Sequence, residues 1–428
     1  MLEIYDDERL VGCLSVFDNA KKGVCYEFSY DESFLKSENA FAIDKNLALN
    51  AQIHKSTALW GCFKDCLPDR WGKLVLKRLF GSALSEFELL LCVSDFYRQG
   101  SLRFKINAEF KGKFDKFLDE FKACFRGKRP TFMEKISPQN ATLARLDALF
   151  ESAMRVELDE YDESDLVLLQ VCGAALGGAR AKVCVVYQNE LYLVKFALPN
   201  DDFSVILWEK TLLDLAHLAG IRVPESRLIT LKNGQKALMI KRFDRINSAR
   251  LPFLSARSWL NLQENSAQES SYTSFADSLC ETSDKKELFC RMYFNALCAN
   301  TDDHLKNHAL LYDRTSKAWR LSPAYDLTPN PLPKNKQYHA LNFVDFHSLP
   351  NLNELKGLKN SFALDEKECE KICKACENAL AKCDKIALQN GIKAKEIKHL
   401  ARFSKLKFKG KFKRFCALFV VKHCERGY

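Results

Sequence analysis

The most constraining stretch of the chain is Asn300-Thr301-Asp302-Asp303-His304-Leu305-Lys306-Asn307, with a lone carboxylate downstream in Pro323-Ala324-Tyr325-Asp326. Reduced to chemistry, it is an acid, an amide five positions later and a second acid. To act together these groups need a fold that returns Asp326 to the Asp302 loop. An acid and an amide at this interval have the spacing of a phosphotransfer loop, in which the acid faces an acceptor hydroxyl. Asp302 would orient that hydroxyl. Asn307 offers a neutral oxygen and Asp326 a charged one to magnesium, which takes few hard oxygen ligands and shares the rest with phosphate and water. Spacing alone leaves a second reading open, a polar loop of caps and turns, where Asn, Asp and His are common.

The 428 residues suffice for two or three domains with substantial cores. Hydrophobic content of 47% and charged content of 28% describe an ordinary globular chain. No run reaches the roughly eighteen apolar residues of a membrane span. The acidic start Met1-Leu2-Glu3-Ile4-Tyr5-Asp6-Asp7-Glu8 lacks the apolar region of a secretory signal. The 17 scattered cysteines therefore read as reduced cytosolic thiols serving as small core residues. Most of the net charge of +10 comes from the tail between Arg402 and Arg426, which carries +8. That tail has the character of a nucleic-acid contact or of a solvated end.

The chain is expected to divide into an α/β unit over 1–105, a helical connector over 106–150, a first lobe over 151–248, a helical lobe over 249–402 and a basic tail over 403–428. In the first unit, Leu10–Val16 and Val24–Phe28 read as strands. Leu67-Pro68-Asp69-Arg70-Trp71-Gly72 starts a helix running to Phe80, and Ser85 to Val93 suits another. Ser164 reads as the N-cap of a short helix to Leu169. Cys172-Gly173-Ala174-Ala175-Leu176-Gly177-Gly178-Ala179-Arg180-Ala181-Lys182 is a small-residue turn ahead of two strand-like runs, Val183–Tyr187 and Leu191–Phe196. Backbone N–H groups approach an anion closely only where side chains are absent. Lys195, inside an apolar strand, requires a partner, and Glu209 in the following helical run supplies one. The helical period of Lys285 to Ala299 predicts a buried helix presenting Asp302. A hairpin, Leu310–Tyr312 with Ala318–Leu321, would bring Asp326 back beside Asn307. Cys369, Cys373 and Cys376 have a spacing also seen in iron–sulfur enzymes. With positions 380 and 383 they fall on one face of a single helix, which is the pattern of core residues.

Together these pieces resemble the HipA family of bacterial serine/threonine kinases, the toxin halves of HipBA-type toxin–antitoxin pairs. The resemblance covers roughly residues 1–390. It rests on Leu67-Pro68-Asp69-Arg70-Trp71-Gly72, Gly100-Ser101-Leu102-Arg103-Phe104, Leu176-Gly177-Gly178-Ala179-Arg180-Ala181-Lys182, Lys195-Phe196, Lys241-Arg242-Phe243-Asp244-Arg245, the Thr301–Asn307 loop and Tyr325-Asp326. It implies an α+β, two-lobed, protein-kinase-like fold with an added N-terminal α/β subdomain and a mainly helical C-lobe. By position, Asp302 is the catalytic acid and Asn307 and Asp326 are the Mg2+ ligands. Gly177, Gly178, Ala179, Arg180, Ala181 and Lys182 cover the ATP phosphates, which Lys195 contacts while paired with Glu209. Lys241, Arg242 and Phe243 form the adenine hinge, and His304, Lys306 and Tyr325 lie beside the nucleotide.

The implied cofactors are ATP and Mg2+. The implied partners are a HipB-like helix-turn-helix antitoxin, DNA only through that antitoxin, and an aminoacyl-tRNA synthetase as protein substrate. The expected setting is cytoplasmic, with no membrane. One departure stands out. Many members have a serine before the Leu-Gly-Gly-Ala-Arg stretch whose autophosphorylation silences the kinase, and here that position is Ala175. Two other readings stay open: an antitoxin-binding corepressor with a weak site, and a small-molecule kinase, since sugar and antibiotic kinases share the Asp-x4-Asn loop.

Overall fold

The computed structural model describes residues 1–19, 23–106, 141–173, 178, 180–247, 249–262 and 270–401. Most of the expected connector, the basic tail, and Ala174, Ala175, Leu176, Gly177 and Ala179 of the small-residue turn lie outside the described residues.

Strands β1 (Leu2–Asp6), β2 (Arg9–Asn19), β3 (Gly23–Tyr30), β4 (His54–Ser56) and β5 (Leu102–Ile106) form an antiparallel sheet in the order β4-β3-β2-β1-β5. Leu2 and Ile4 alternate with half-buried Glu3 and Tyr5, so one face of β1 enters the core. On the next pair Leu14 lies opposite Phe28, both fully buried. Gly12 is needed there, because a Cβ would come within 2.1 Å of the Ser29 carbonyl oxygen. Asp69 caps the helix Arg70–Phe80 by accepting from Gly72 N at 3.0 Å, and Gly81 ends it at φ +69°.

A second sheet has the order β6-β7-β9-β8, from β6 (Lys182–Tyr187), β7 (Glu190–Phe196), β8 (Ser226–Thr230) and β9 (Lys236–Lys241). The described end of the expected connector, from Ala141 to residue 150, packs against this sheet. Val186 N donates to Ala141 O at 2.8 Å, and Leu146, Leu149 and Phe150 share a core with Val183, Val194 and Phe196. The following helix is Glu163–Cys172, and its cap is Asp162 rather than Ser164. Asp162 accepts from Asp165 N at 3.0 Å while the Asp165 carboxylate accepts from Asp162 N at 3.2 Å. Ser164 only donates its hydroxyl to Asp162. A charged acceptor two residues earlier displaces the serine.

Beyond β10 (Arg245–Ile246) and β11 (Ala249–Arg250), a small ribbon, the chain adds β12 (Phe253–Ser255), β13 (Ala309–Asp313) and β14 (Ala318–Leu321) in the order β12-β13-β14. The helix Thr282–Cys298 is buried on all sides from Leu288 onward. Cys369, Cys373 and Cys376 sit on the buried face of the helix Glu366–Leu380, and the Cys376 sulfur lies 3.6 Å from that of Cys290. Cys383 faces the core as well, but from a separate helix, Cys383–Gln389, so the expected single helix breaks after Leu380. Burial pushes the Cys373 thiol up to about 12. No helix among the described residues is long and apolar enough to cross a membrane.

The first sheet is bolted to the lobes through buried ions. Arg242 donates to both oxygens of Asp244, at 2.9 and 2.6 Å, and to the carbonyls of Tyr97 and Arg98. Asp244 also accepts from Gly100 N at 2.8 Å. Removing one partner of such a pair strands the other charge in the interior. Asp244→Ala is therefore expected to lower unfolding free energy by about 3–5 kcal/mol, read by urea denaturation.

Candidate active site

The site begins with the pleat of β7. Val194 and Phe196 are fully buried on one side, so Lys195 points to the other. Its ammonium donates to Glu209 Oε1 at 2.7 Å and to Asp326 Oδ1 at 2.5 Å. Glu209, itself buried, comes from the helix Val205–Leu218, and Asp326 from the segment after β14. Three distant segments thus converge on one cation. Burial works against the Lys195 ammonium, but Asp326 and Glu209 together hold its pKa above the ordinary lysine value. The Lys195 charge in turn holds the Asp326 carboxyl below its usual range. Asp326 sits at φ +59°, a left-handed conformation that costs an L-residue on the order of 1 kcal/mol.

Two neighbouring aspartates have separate fates. The helix Thr282–Cys298 ends at Ala299 with φ +56°, and Ala299 O accepts from Asn330 N at 2.8 Å. The turn leaves Asp302 exposed and Asp303 buried. Asp303 pairs with His308 Nε2 at 2.9 Å and accepts from the Tyr272 hydroxyl, which also accepts from Asn295 Nδ2 at 3.1 Å. Burial opposes the Asp303 charge, yet His308 and Tyr272 keep its carboxyl below the ordinary range. Asp302 moves the other way. Desolvation raises its pKa, His304 pulls against the rise, and the Asp326 charge adds to it.

Asn307 is buried, and its Nδ2 donates to Asp302 O at 3.3 Å. These bonds use Asp326 Oδ1 and Asn307 Nδ2, and among the described residues they leave Asp326 Oδ2 and Asn307 Oδ1 open. Among the described residues no group of three or more His, Cys, Asp and Glu could enclose a metal. A cation here would complete its shell from phosphate and water, as magnesium does. Tyr325 donates to Lys306 O at 2.6 Å and lies 5.4 Å, ring to ring, from Phe243. His304 is half-buried and Lys306 exposed on the same loop.

The remaining expected residues are distributed unevenly. Gly178 is exposed at φ +111°, and a Cβ on it would lie 2.6 Å from Lys182 Nζ. Ala181 is buried, and Arg180 pairs with Asp201. Lys241 pairs with Glu190 where the last residue of β9 meets the first of β7, at the half-exposed ends of the two central strands. Arg242 carries its guanidinium to the N-terminal junction, and the backbone N–H groups of Lys241 and Arg242 donate to Glu225 O and Leu191 O at 2.8 and 2.9 Å, so neither N–H is open to a base. The Ser204 hydroxyl donates to Glu396 Oε2 at 2.9 Å. The positions of Asp303, His308 and Tyr272 were not anticipated. The only local sign was a second acid with a histidine five positions later.

This arrangement is a two-lobed, kinase-like α+β fold. Residues 2–105 match the HipA N-terminal domain family and residues 174–383 the HipA-like C-terminal domain family. The chain belongs to the HipA family. A chain of the solved Shewanella oneidensis MR-1 complex of HipA, HipB and operator DNA superposes with a TM-score of 0.63. The match covers 94% of this chain and 95% of that one at 14% identity, a likeness of fold. Y4dM of Sinorhizobium fredii, a candidate kinase by name, is 31% identical over 191 residues. That match takes in 40% of this chain, which spans 46% of the relative's length.

The twin aspartates are separable by stability. Asp303→Ala strands His308 and Tyr272 and should cost about 3–5 kcal/mol. Asp302→Ala, on an exposed side chain, should stay within about 0.5 kcal/mol of wild type. Paired urea titrations check both.

Proposed function

We propose that this chain is an ATP- and Mg2+-dependent serine/threonine protein kinase and the toxin of a toxin–antitoxin pair. It would act in the cytoplasm on an aminoacyl-tRNA synthetase and so slow translation and growth. The observation that carries the reading is the buried Lys195 ammonium held between Glu209 and Asp326. A lysine fixed by a helix glutamate beside a metal-ligand aspartate is the pairing that kinases place on ATP phosphates. The Shewanella complex contains HipB and operator DNA. It supports a HipB-like helix-turn-helix antitoxin as partner, with DNA reached through it.

In this mechanism Asp302 orients a Ser or Thr hydroxyl and takes its proton. The hydroxyl oxygen bonds to the γ-phosphorus as the bond to the β–γ bridging oxygen breaks, and ADP leaves. Lys195 meets phosphate charge, and Glu209 keeps it from swinging away. Asn307 and Asp326 would hold magnesium, which supplies charge neutralisation across the phosphates when bound. Phe243 and Tyr325 supply an aromatic wall to the nucleotide cleft. Positioning and electrostatics carry such a reaction, since little covalent chemistry falls to the protein.

Asp302→Asn should reduce phosphoryl transfer from labelled ATP by about a hundredfold or more while leaving ATP binding near wild type. Asp326→Ala should weaken ATP binding in the presence of Mg2+ and leave metal-free binding less affected. Unimpaired transfer by Asp302→Asn defeats the assignment. Absence of any transfer by wild type favours the corepressor reading. Phosphoproteomics after induced expression distinguishes a synthetase from other acceptors.

The raised pKa of Asp302 sets a pH dependence. Its base form is lost on acidification sooner than for an ordinary aspartate. The acid limb of kcat/KM should therefore lie above the usual aspartate value of about 3.9, as read by steady-state rates across pH.

A further inference from the structure

The Leu67-Pro68-Asp69-Arg70-Trp71-Gly72 motif belongs to the N-terminal unit, yet its side chains reach the site. Asp69 Oδ2 accepts from Lys182 Nζ at 2.8 Å, and both side chains are largely buried. The same carboxylate caps the helix Arg70–Phe80 through Gly72 N. Lys182 Nζ occupies the space where a Cβ on Gly178 would fall, 2.6 Å away, and Asp69 Oδ2 lies 3.8 Å from that point. Two residues along the motif, Trp71 is buried with its indole nitrogen 3.5 Å from where a Cβ on Gly173 would stand. A Cβ on Gly173 would also lie 3.2 Å from Lys182 O. Asp69 and Trp71 thus press on Lys182 and Gly173.

We propose that Asp69 is a positioning residue for nucleotide binding: it holds the Lys182 ammonium at the Gly178 turn, so that the N-terminal unit sets the affinity for ATP phosphates. The inference rests on the kinase reading above. Among the described residues Asp69 is the hydrogen-bond partner of the Lys182 ammonium. Burial disfavours its ammonium and the nearby Lys195 charge disfavours it further, while Asp69 and, more weakly, Asp326 support it. The Lys306 charge also favours the Asp69 carboxylate, more weakly than Lys182 does. A short carboxylate anchored at a helix start fixes the lysine where a flexible surface acid would not.

Asp69→Asn separates the two roles, because asparagine caps a helix as well as aspartate but carries no charge. Binding of ATP and of adenosine is measured by calorimetry on the full chain, with thermal melting alongside. The expected result is about a tenfold loss of ATP affinity, unchanged adenosine affinity, and a lowered melting temperature from the uncompensated Lys182 charge that the Lys182→Gln background restores. In a Lys182→Gln background the Asp69→Asn effect on ATP should vanish. Should Asp69→Asn fail to fold, Asp69→Ser, also a capping residue, takes its place. Equal or tighter ATP binding by the Asp69 variant overturns the inference, as does a loss that persists undiminished without Lys182. A wild-type chain that binds no ATP overturns the kinase reading and this inference with it. Wild-type binding that the variant preserves overturns the inference alone.

Discussion

The contact on which the rest depends is the buried Lys195 ammonium between two carboxylates. A lone cation in that position would be costly, and its removal from either partner would leave a charge without compensation. Glu209 and Asp326 arrive from elements separated from Lys195 by a loop in one case and by most of the second lobe in the other. The ion triad therefore ties the four-stranded sheet to the segment that follows the β13–β14 hairpin. It carries one more negative charge than positive, and Asp302 stands close enough to feel Asp326. A pocket with that surplus favours a further cation, which is the electrostatic requirement of a magnesium–phosphate site.

Much of this was legible because the signals were local. Apolar alternation located β2, β3, β6 and β7, and the proline and aspartate at 68 and 69 marked a helix start that Asp69 does cap. The hairpin between Asn307 and Asp326 could be read from two apolar runs and a polar turn. The split between Asp302 and Asp303 could not. Adjacent residues of one type differ only in what folds around them. Asp303 is claimed by Tyr272 and His308, of which Tyr272 lies 31 positions away. Ser164 illustrates a smaller failure, where propensity ranks serine and aspartate alike as caps and geometry chooses between them.

The N-terminal unit was harder to place. Its sheet reads as a separate body, but periodicity does not tell which core a helix joins. Trp71, Val75, Val93 and Tyr97 pack with Val183, Val194 and Met239 of the second sheet. Asp65, whose carboxyl burial pushes up to about 6, accepts from Ser255 N at 2.6 Å and from its hydroxyl at 2.8 Å. Together with the Arg242–Asp244 pair, these contacts reach both lobes. The unit thus behaves as a brace across the cleft. That explains why the strand exit at Lys241–Asp244, read as an adenine hinge, spends its arginine on structure rather than on ligand.

The position of Glu209 has a second determinant at the other end of the chain. Glu396, on the helix Ala394–Ala401, accepts from Ser204 N and from Trp208 Nε1, at 2.9 and 2.8 Å. A carboxylate at the start of the helix Val205–Leu218 satisfies an open N–H group and opposes the helix dipole. Asn390 Nδ2 holds the same helix further along, through Thr211 Oγ1 at 3.2 Å and Asp214 Oδ2 at 3.1 Å. The helix that carries Glu209 is therefore seated by residues about 180 positions later. Lys195 is oriented by Glu209, so its alignment is a property of the assembled chain and not of the first lobe alone. No window of sequence around Lys195 contains that information, which is why the lysine could be given a partner from the sequence but not a fixed place.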